Sequence, residues 1–205
     1  MTEIQSLAHV IVDKAKTEAP QTLKFLSEIV SLESGSHDIE DVNRLGDFLA
    51  ETGKALGGEV LRIHSDIAGD PIAVTFNCTP DSNTKRVLLI CHRDTVFPHG
   101  TINRRPFRQD ETQCYGPGVA DMKGGIAISL SVAKILRRLH ETVGDIPLEL
   151  LFCPDEEIGS SAGAPFIADR CKNAKAAFMM EPARANGKIV TGRDGGDLIK
   201  LEAFG

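Results

Sequence analysis

Apolar residues recur at three- and four-residue intervals through residues 4–16 (Ile4, Leu7, Val10, Ile11) and 21–32 (Leu23, Leu26, Ile29, Val30). This is a helical period, and Pro20 predicts a break within it. Val42, Leu45, Leu49 and Leu56 predict a further helix over 39–56 that stops at Gly57-Gly58. The period then shortens. Residues 59–64, 72–76 and 86–91 are short β-like runs, the last two separated by a turn beginning at Pro80. Residues 92–120 are polar, carry proline and glycine, and show no periodic element, which is uncommon unless the stretch has a function. A helix over 123–140 follows (Ile126, Leu130, Val132, Ala133, Leu136, Leu139), then a strand over 147–153, a short helix over 161–170 and a strand over 175–180.

Strands alternating with helices predict an α/β fold, with a central, mostly parallel mixed sheet covered by helices on both faces. From residue 187 the pattern changes to two β-like runs around Arg193-Asp194-Gly195-Gly196, which reads as the opening of a new unit. With 41% apolar and 25% charged residues, the 205-residue chain has the composition of a soluble globular protein with a real core. A net charge of −6 without a basic cluster argues against nucleic acid or an anionic membrane as partner. No apolar run approaches the ~20 residues that span a bilayer. The acidic N-terminus lacks a signal-peptide pattern, so the expected location is cytoplasmic. Five cysteines, with no Cys-x-x-Cys pair, give no disulfide or zinc framework. Cys91 and Cys153 close apolar runs and read as core residues.

The charged residues change the picture. His92 and Asp94 follow the strand over 86–91, Glu156 and Glu157 follow that over 147–153, and Glu181 follows that over 175–180. Sites in open α/β sheets gather outside the carboxyl ends of the strands. Asp121 lies just before the long helix and can approach the same edge. Each residue has an ordinary alternative: Asp121 as a helix cap, Glu156-Glu157 as solvated charges, Glu181 before a turn, His92 as a satisfied histidine. Those alternatives do not explain the convergence. Carboxylates gathered at one edge repel one another, and a divalent cation removes the conflict.

Imidazole with several carboxylates suits zinc or a similar metal. Asp94 is placed to accept the second ring N–H of His92 and aim it. Of the adjacent glutamates, pointing in different directions along an extended segment, one can bind metal while the other stays free as general base beside an activated water. The stretch "GPGVADMKGG" lacks the lysine-serine/threonine ending of a phosphate loop, and its glycines read as tight turns around Asp121. His99 reads as a loop histidine outside the ligand set.

In order and spacing, "HRDTVFPHGT", "YGPGVADMKGG", "PDEEIGS" and "MEPA" resemble the co-catalytic zinc metallopeptidases that include glutamate carboxypeptidase, acetylornithine deacetylase and aminoacylase, most closely the glutamate carboxypeptidase branch. The likeness runs from about residue 20 to the C-terminus. It implies a zinc-dependent hydrolase of amide bonds in small peptides or N-acyl amino acids. His92, Asp121 and Glu181 would hold one zinc, and Asp121 and Glu157 a second. Glu156 would be the general base and Asp94 the residue orienting His92. A cis peptide at Asp121–Met122 is also implied.

Residues 1–190 would then be the N-terminal part of the catalytic domain, and 191–205 the start of a truncated lid and dimerisation domain. The family's returning segment, which carries the second zinc's histidine, and its lid lie beyond Gly205. The chain alone is therefore expected to bind about one zinc firmly, to turn over little substrate and to self-associate, with a homodimer possible for the complete protein. A non-catalytic metal-binding or interaction module on the same fold is the alternative.

Overall fold

The computed structural model describes residues 3–80, 82–184 and 187–192. The first helix, α1 (Glu3–Ser31), is continuous and contains Pro20, so the expected break does not occur. Proline costs an internal helix its hydrogen bond to the carbonyl four residues earlier. Pro20 is exposed, which leaves that carbonyl to water, while the neighbouring Glu18 is buried against Lys134 and Arg138 and holds the helix on both sides of the proline.

Helix α2 (Ile39–Ala55) is capped by Asp38, whose carboxylate accepts the Asp41 backbone N–H at 3.0 Å. It ends at Gly57, whose φ of +84° suits glycine. The strands β1 (Glu59–Arg62), β2 (Ile72–Phe76) and β3 (Arg86–His92) follow. The polar stretch after β3 is not featureless. It folds as one helical turn, α3 (Thr101–Arg104), and a two-stranded ribbon of β4 (Arg108–Gln109) with β5 (Cys114–Tyr115). Both are too short to leave a periodic trace in sequence.

The long helix α4 (Gly124–Arg138) stops at Leu139 and is followed by a single turn, α5 (His140–Val143). Then come β6 (Leu148–Cys153), α6 (Gly163–Cys171) and β7 (Ala174–Met179). Residues 187–192 form no helix or strand, and the remainder of the expected new unit, 193–205, lies outside the described residues.

The main sheet has the order β1-β2-β6-β3-β7. β2 is antiparallel to both its neighbours, while β3 is parallel to β6 and to β7. Four strands thus run one way and β2 the other. Pairing of His92 with Cys153, and of Ile90 with Met179, brings the carboxyl ends of β3, β6 and β7 to one edge. The side-chain period of two divides the core. Leu89, Cys91, Leu150 and Phe152 face α1, α2 and α4 through Ile29, Leu45, Leu49, Ile126 and Leu130. Leu88, Ile90, Leu151 and Cys153 face Phe166 and Ile167 of α6. All five cysteines are free, with Cys91 and Cys153 buried.

One charge sits inside this sheet. Glu149, in the middle of β6, is fully buried and accepts hydrogen bonds from the Thr75 hydroxyl and the Arg170 guanidinium, with Arg86 Nε 3.5 Å away. Arg170 lies near the end of α6, so this ion pair pins that helix to the sheet. Removing Arg170 leaves the buried Glu149 without its hydrogen-bonded cation, with only Arg86 at 3.5 Å. We therefore expect Arg170→Met to lower stability by about 3–5 kcal/mol in urea unfolding, whereas a loss below about 1 kcal/mol would mean that α6 is held by its apolar contacts alone.

Candidate metal centre

His92 ends β3 and is buried by the strands on either side. Its backbone N–H donates to Met122 Sδ at 3.1 Å. Its ring Nδ1 faces Asp94, 3.1 Å from the backbone carbonyl and 3.3 Å from Oδ1. The contact expected between imidazole and carboxylate is therefore shared with the Asp94 carbonyl. Both partners on this side are acceptors, so Nδ1 carries the proton, and Nε2 is directed at carboxylates: Asp121 Oδ1 at 2.9 Å and Glu181 Oε1 at 3.5 Å. Donor atoms of His92, Asp121 and Glu157 all lie within 4.8 Å of one another.

Each carboxylate arrives by a local device. Asp121 lies in a bend at Val119–Lys123, between Gly118 in the left-handed conformation (φ +72°) and the first residue of α4. The Asp121–Met122 peptide is cis. Lys123 stands at the N-cap of α4 and no side chain caps that helix, so the helix-cap alternative for Asp121 does not hold. Glu181 follows β7, where the Met180 backbone N–H donates to the Ile90 carbonyl at 2.9 Å. A Cβ on Gly125 would stand 2.1 Å from the Met180 carbonyl oxygen, so only glycine lets α4 start this close to the segment carrying Glu181. Glu156 and Glu157 lie in one 3-10 turn (Glu156–Ile158), not on an extended segment as expected. The turn still separates them: Glu156 is exposed, and Glu157 is half-buried toward His92 and Asp121.

The electrostatics are those of carboxylates crowded around one imidazole. Burial opposes charging His92, but Asp94, Glu181 and Asp121 outweigh it and raise its pKa to about 9. Burial, and then repulsion from Asp121, raises Glu157; burial also raises Glu181, with Asp121 and Glu156 adding to the shift against His92. Asp94 differs. Burial would raise it, yet bonds from His92, Ser36 and the Glu157 backbone N–H hold it below the usual carboxylate range. One imidazole nitrogen with three carboxylates around it is a donor set that fits a divalent metal.

Several supporting residues carry no signal in sequence. The Ser36 hydroxyl donates to Asp94 Oδ2 at 2.8 Å. Arg93, fully buried, donates to the carbonyls of Val42, Phe152 and Asp70, and burial lowers its pKa to about 10. Lys123 donates to the Leu32 carbonyl at 2.7 Å, and burial lowers it to about 8. His99 sits outside the His92 cluster, in a second group with Glu33 and Asp41. The acceptors of that group already have protein partners: Asp41 pairs with Arg44 and with His99 Nδ1 at 2.6 Å, and Glu33 accepts the N–H groups of Gly100 and Ile102.

A family model described as peptidase family M20/M25/M40 matches residues 88–194, a span that contains His92, Asp94, Asp121, Glu156, Glu157 and Glu181. Carboxypeptidase G2 of Pseudomonas sp. (strain RS-16) is 33% identical over 205 aligned residues, covering 98% of this chain and 48% of its own length. Acetylornithine deacetylase of Klebsiella pneumoniae (strain 342) is 41% identical over 86 residues, covering 40% of this chain and 21% of its own length. Among solved structures, the M20 family metallo-carboxypeptidase Sso-CP2 from Sulfolobus solfataricus matches with a TM-score of 0.64 at 22% identity, over 82% of this chain and 39% of that one. Human carnosine dipeptidase 1 matches with a TM-score of 0.68 at 16% identity, over 84% of this chain and 41% of that one. At those identities the structural likeness concerns the fold. The chain spans about half or less of the length of these relatives.

A proton on His92 competes with any metal. With the imidazole pKa near 9, zinc affinity should rise by about tenfold per pH unit until that pH is reached and then level off. In the metal-free protein the shift works the other way. A histidine raised above its unfolded value of 6.5 contributes stability below that pH, and the contribution is lost as pH rises toward about 9. Titration of zinc affinity and of metal-free stability across pH 6–9.5 checks both slopes; flat profiles would show that His92 is not held between these carboxylates.

Proposed function

Because the chain belongs to peptidase family M20/M25/M40, we propose that it carries the metal centre of a zinc-dependent hydrolase that cleaves amide bonds in small peptides or N-acyl amino acids. The observation that carries this reading is the arrangement at one sheet edge: a buried imidazole aimed at three carboxylates, with a fourth, Glu156, exposed beside them. The relatives' names, a carboxypeptidase and a deacetylase, support amide hydrolysis as the reaction class.

His92, Asp121 and Glu181 would hold one zinc, and Asp121 with Glu157 a second. Bound zinc supplies a lowered pKa for water and polarisation of the substrate carbonyl. The chain's own residues do the rest. Glu156, on the solvent side of the turn, takes the proton of the attacking water and returns it to the leaving amine nitrogen. Asp94 accepts the Glu156 and Glu157 backbone N–H groups at 3.1 and 3.2 Å, which fixes that base relative to His92.

The test uses the zinc-loaded full-length protein on a panel of N-acyl amino acids and dipeptides. Glu156→Gln should lower the hydrolysis rate by about 10²–10⁴ while zinc is retained, the effect of losing a general base. Unchanged hydrolysis in the variant would contradict the assignment of Glu156. Retained zinc with no hydrolysis by the parent protein would favour a metal-binding module on the same fold.

A further inference from the structure

A cleft of about 320 Å³ opens beside the metal centre, between the 35–38 loop, the 95–99 loop and the turn bearing Glu157 and Ile158. Glu157 belongs both to this cleft and to the His92–Asp121–Glu157 group, so the cleft adjoins the metal centre. The walls are built on tied backbone. Gly35 and Thr95 form a β-bridge, the Ser36 N–H donates to the Thr95 carbonyl at 3.0 Å, and the Thr95 N–H donates to the Ser34 carbonyl at 2.8 Å. A Cβ on Gly35 would lie 2.6 Å from the Phe97 carbonyl oxygen, so the two loops approach as closely as glycine permits.

Two of the polar groups around the cleft are already engaged, while a third, His37, is exposed at its rim. Asp38 caps α2, and His99 pairs with Asp41 and Glu33. Two exposed apolar side chains line the same cleft: Val96 is 66% exposed and Ile158 42% exposed. Val96 lies two residues after Asp94, which orients His92, and Ile158 directly follows Glu157, so both are carried on the segments that build the metal centre. The volume is near the lower end of the range of small-molecule pockets, about 300–1,000 Å³. It suits one side chain or a short acyl chain, not an extended peptide.

Resting on the reading of this site as an amide hydrolase, we infer that the cleft is a subsite for an aliphatic group flanking the scissile amide, with Val96 and Ile158 as its specificity-determining residues. The group can belong to the acyl side or to the amino acid side, and the experiment separates these. Binding to zinc-loaded protein is measured by calorimetry for N-acetylglycine, N-hexanoylglycine and N-acetylleucine, alongside zinc affinity itself. One of the two larger ligands should bind at least about tenfold more tightly than N-acetylglycine, since even a single well-placed methylene is worth about tenfold or more. Val96→Ser together with Ile158→Ser should remove most of that preference while leaving zinc affinity unchanged. Equal binding of all three ligands, or a preference that survives both substitutions, would overturn the subsite. Failure of the parent protein to bind zinc would instead overturn the metal centre, and the subsite with it.

Discussion

The site depends on one buried carboxylate. Asp94 has no exposed surface, and it receives the Ser36 hydroxyl, the backbone N–H groups of Glu156 and Glu157, and the imidazole of His92. Burying an ion is costly unless its lone pairs are filled, and here four donors fill them. In doing so Asp94 ties three separate segments together: the end of β3, the turn after β6 and the loop between α1 and α2. Its charge also selects the ring tautomer that directs His92 Nε2 outward. Without Asp94, imidazole and glutamate turn would each have other orientations open to them.

The sheet supplies the second constraint. Parallel pairing of β3 with β6 and β7 in one register ends all three strands together, so residues far apart in sequence emerge side by side. The result is an edge crowded with negative charge. Burial, and then that crowding, raise the pKa values of Glu157 and Glu181, and the surrounding carboxylates raise that of His92 against its burial. A divalent ion would relieve it, and Glu156, exposed on its turn, would remain free for the proton transfer proposed for it.

Much of this was legible in the sequence, because strand-end polar residues after apolar runs mark where a site can lie. His92, Asp94, Glu156, Glu157 and Glu181 are read that way, Asp121 from its place just before the long helix, and the fold brings His92, Asp121, Glu157 and Glu181 together. The supports were not legible. Arg93 and Lys123 look like surface cations, yet both are buried, held by backbone carbonyls that only tertiary structure brings near. Glu149 interrupts an apolar strand, and its partners Thr75, Arg86 and Arg170 come from three other elements. Pro20 predicts a helix break from local chemistry, but the buried Glu18 beside it anchors the helix from outside. Tertiary contacts decided each of these cases.

The claim that the strand-end cluster is a nitrogen- and oxygen-donor metal centre is tested most directly by X-ray absorption at the zinc edge on protein loaded with one equivalent and dialysed. The account predicts retained zinc with imidazole nitrogen and carboxylate oxygens at about 2.0–2.2 Å and no sulfur. Loss of the metal on dialysis, or a sulfur shell at about 2.3 Å from cysteine, would contradict it.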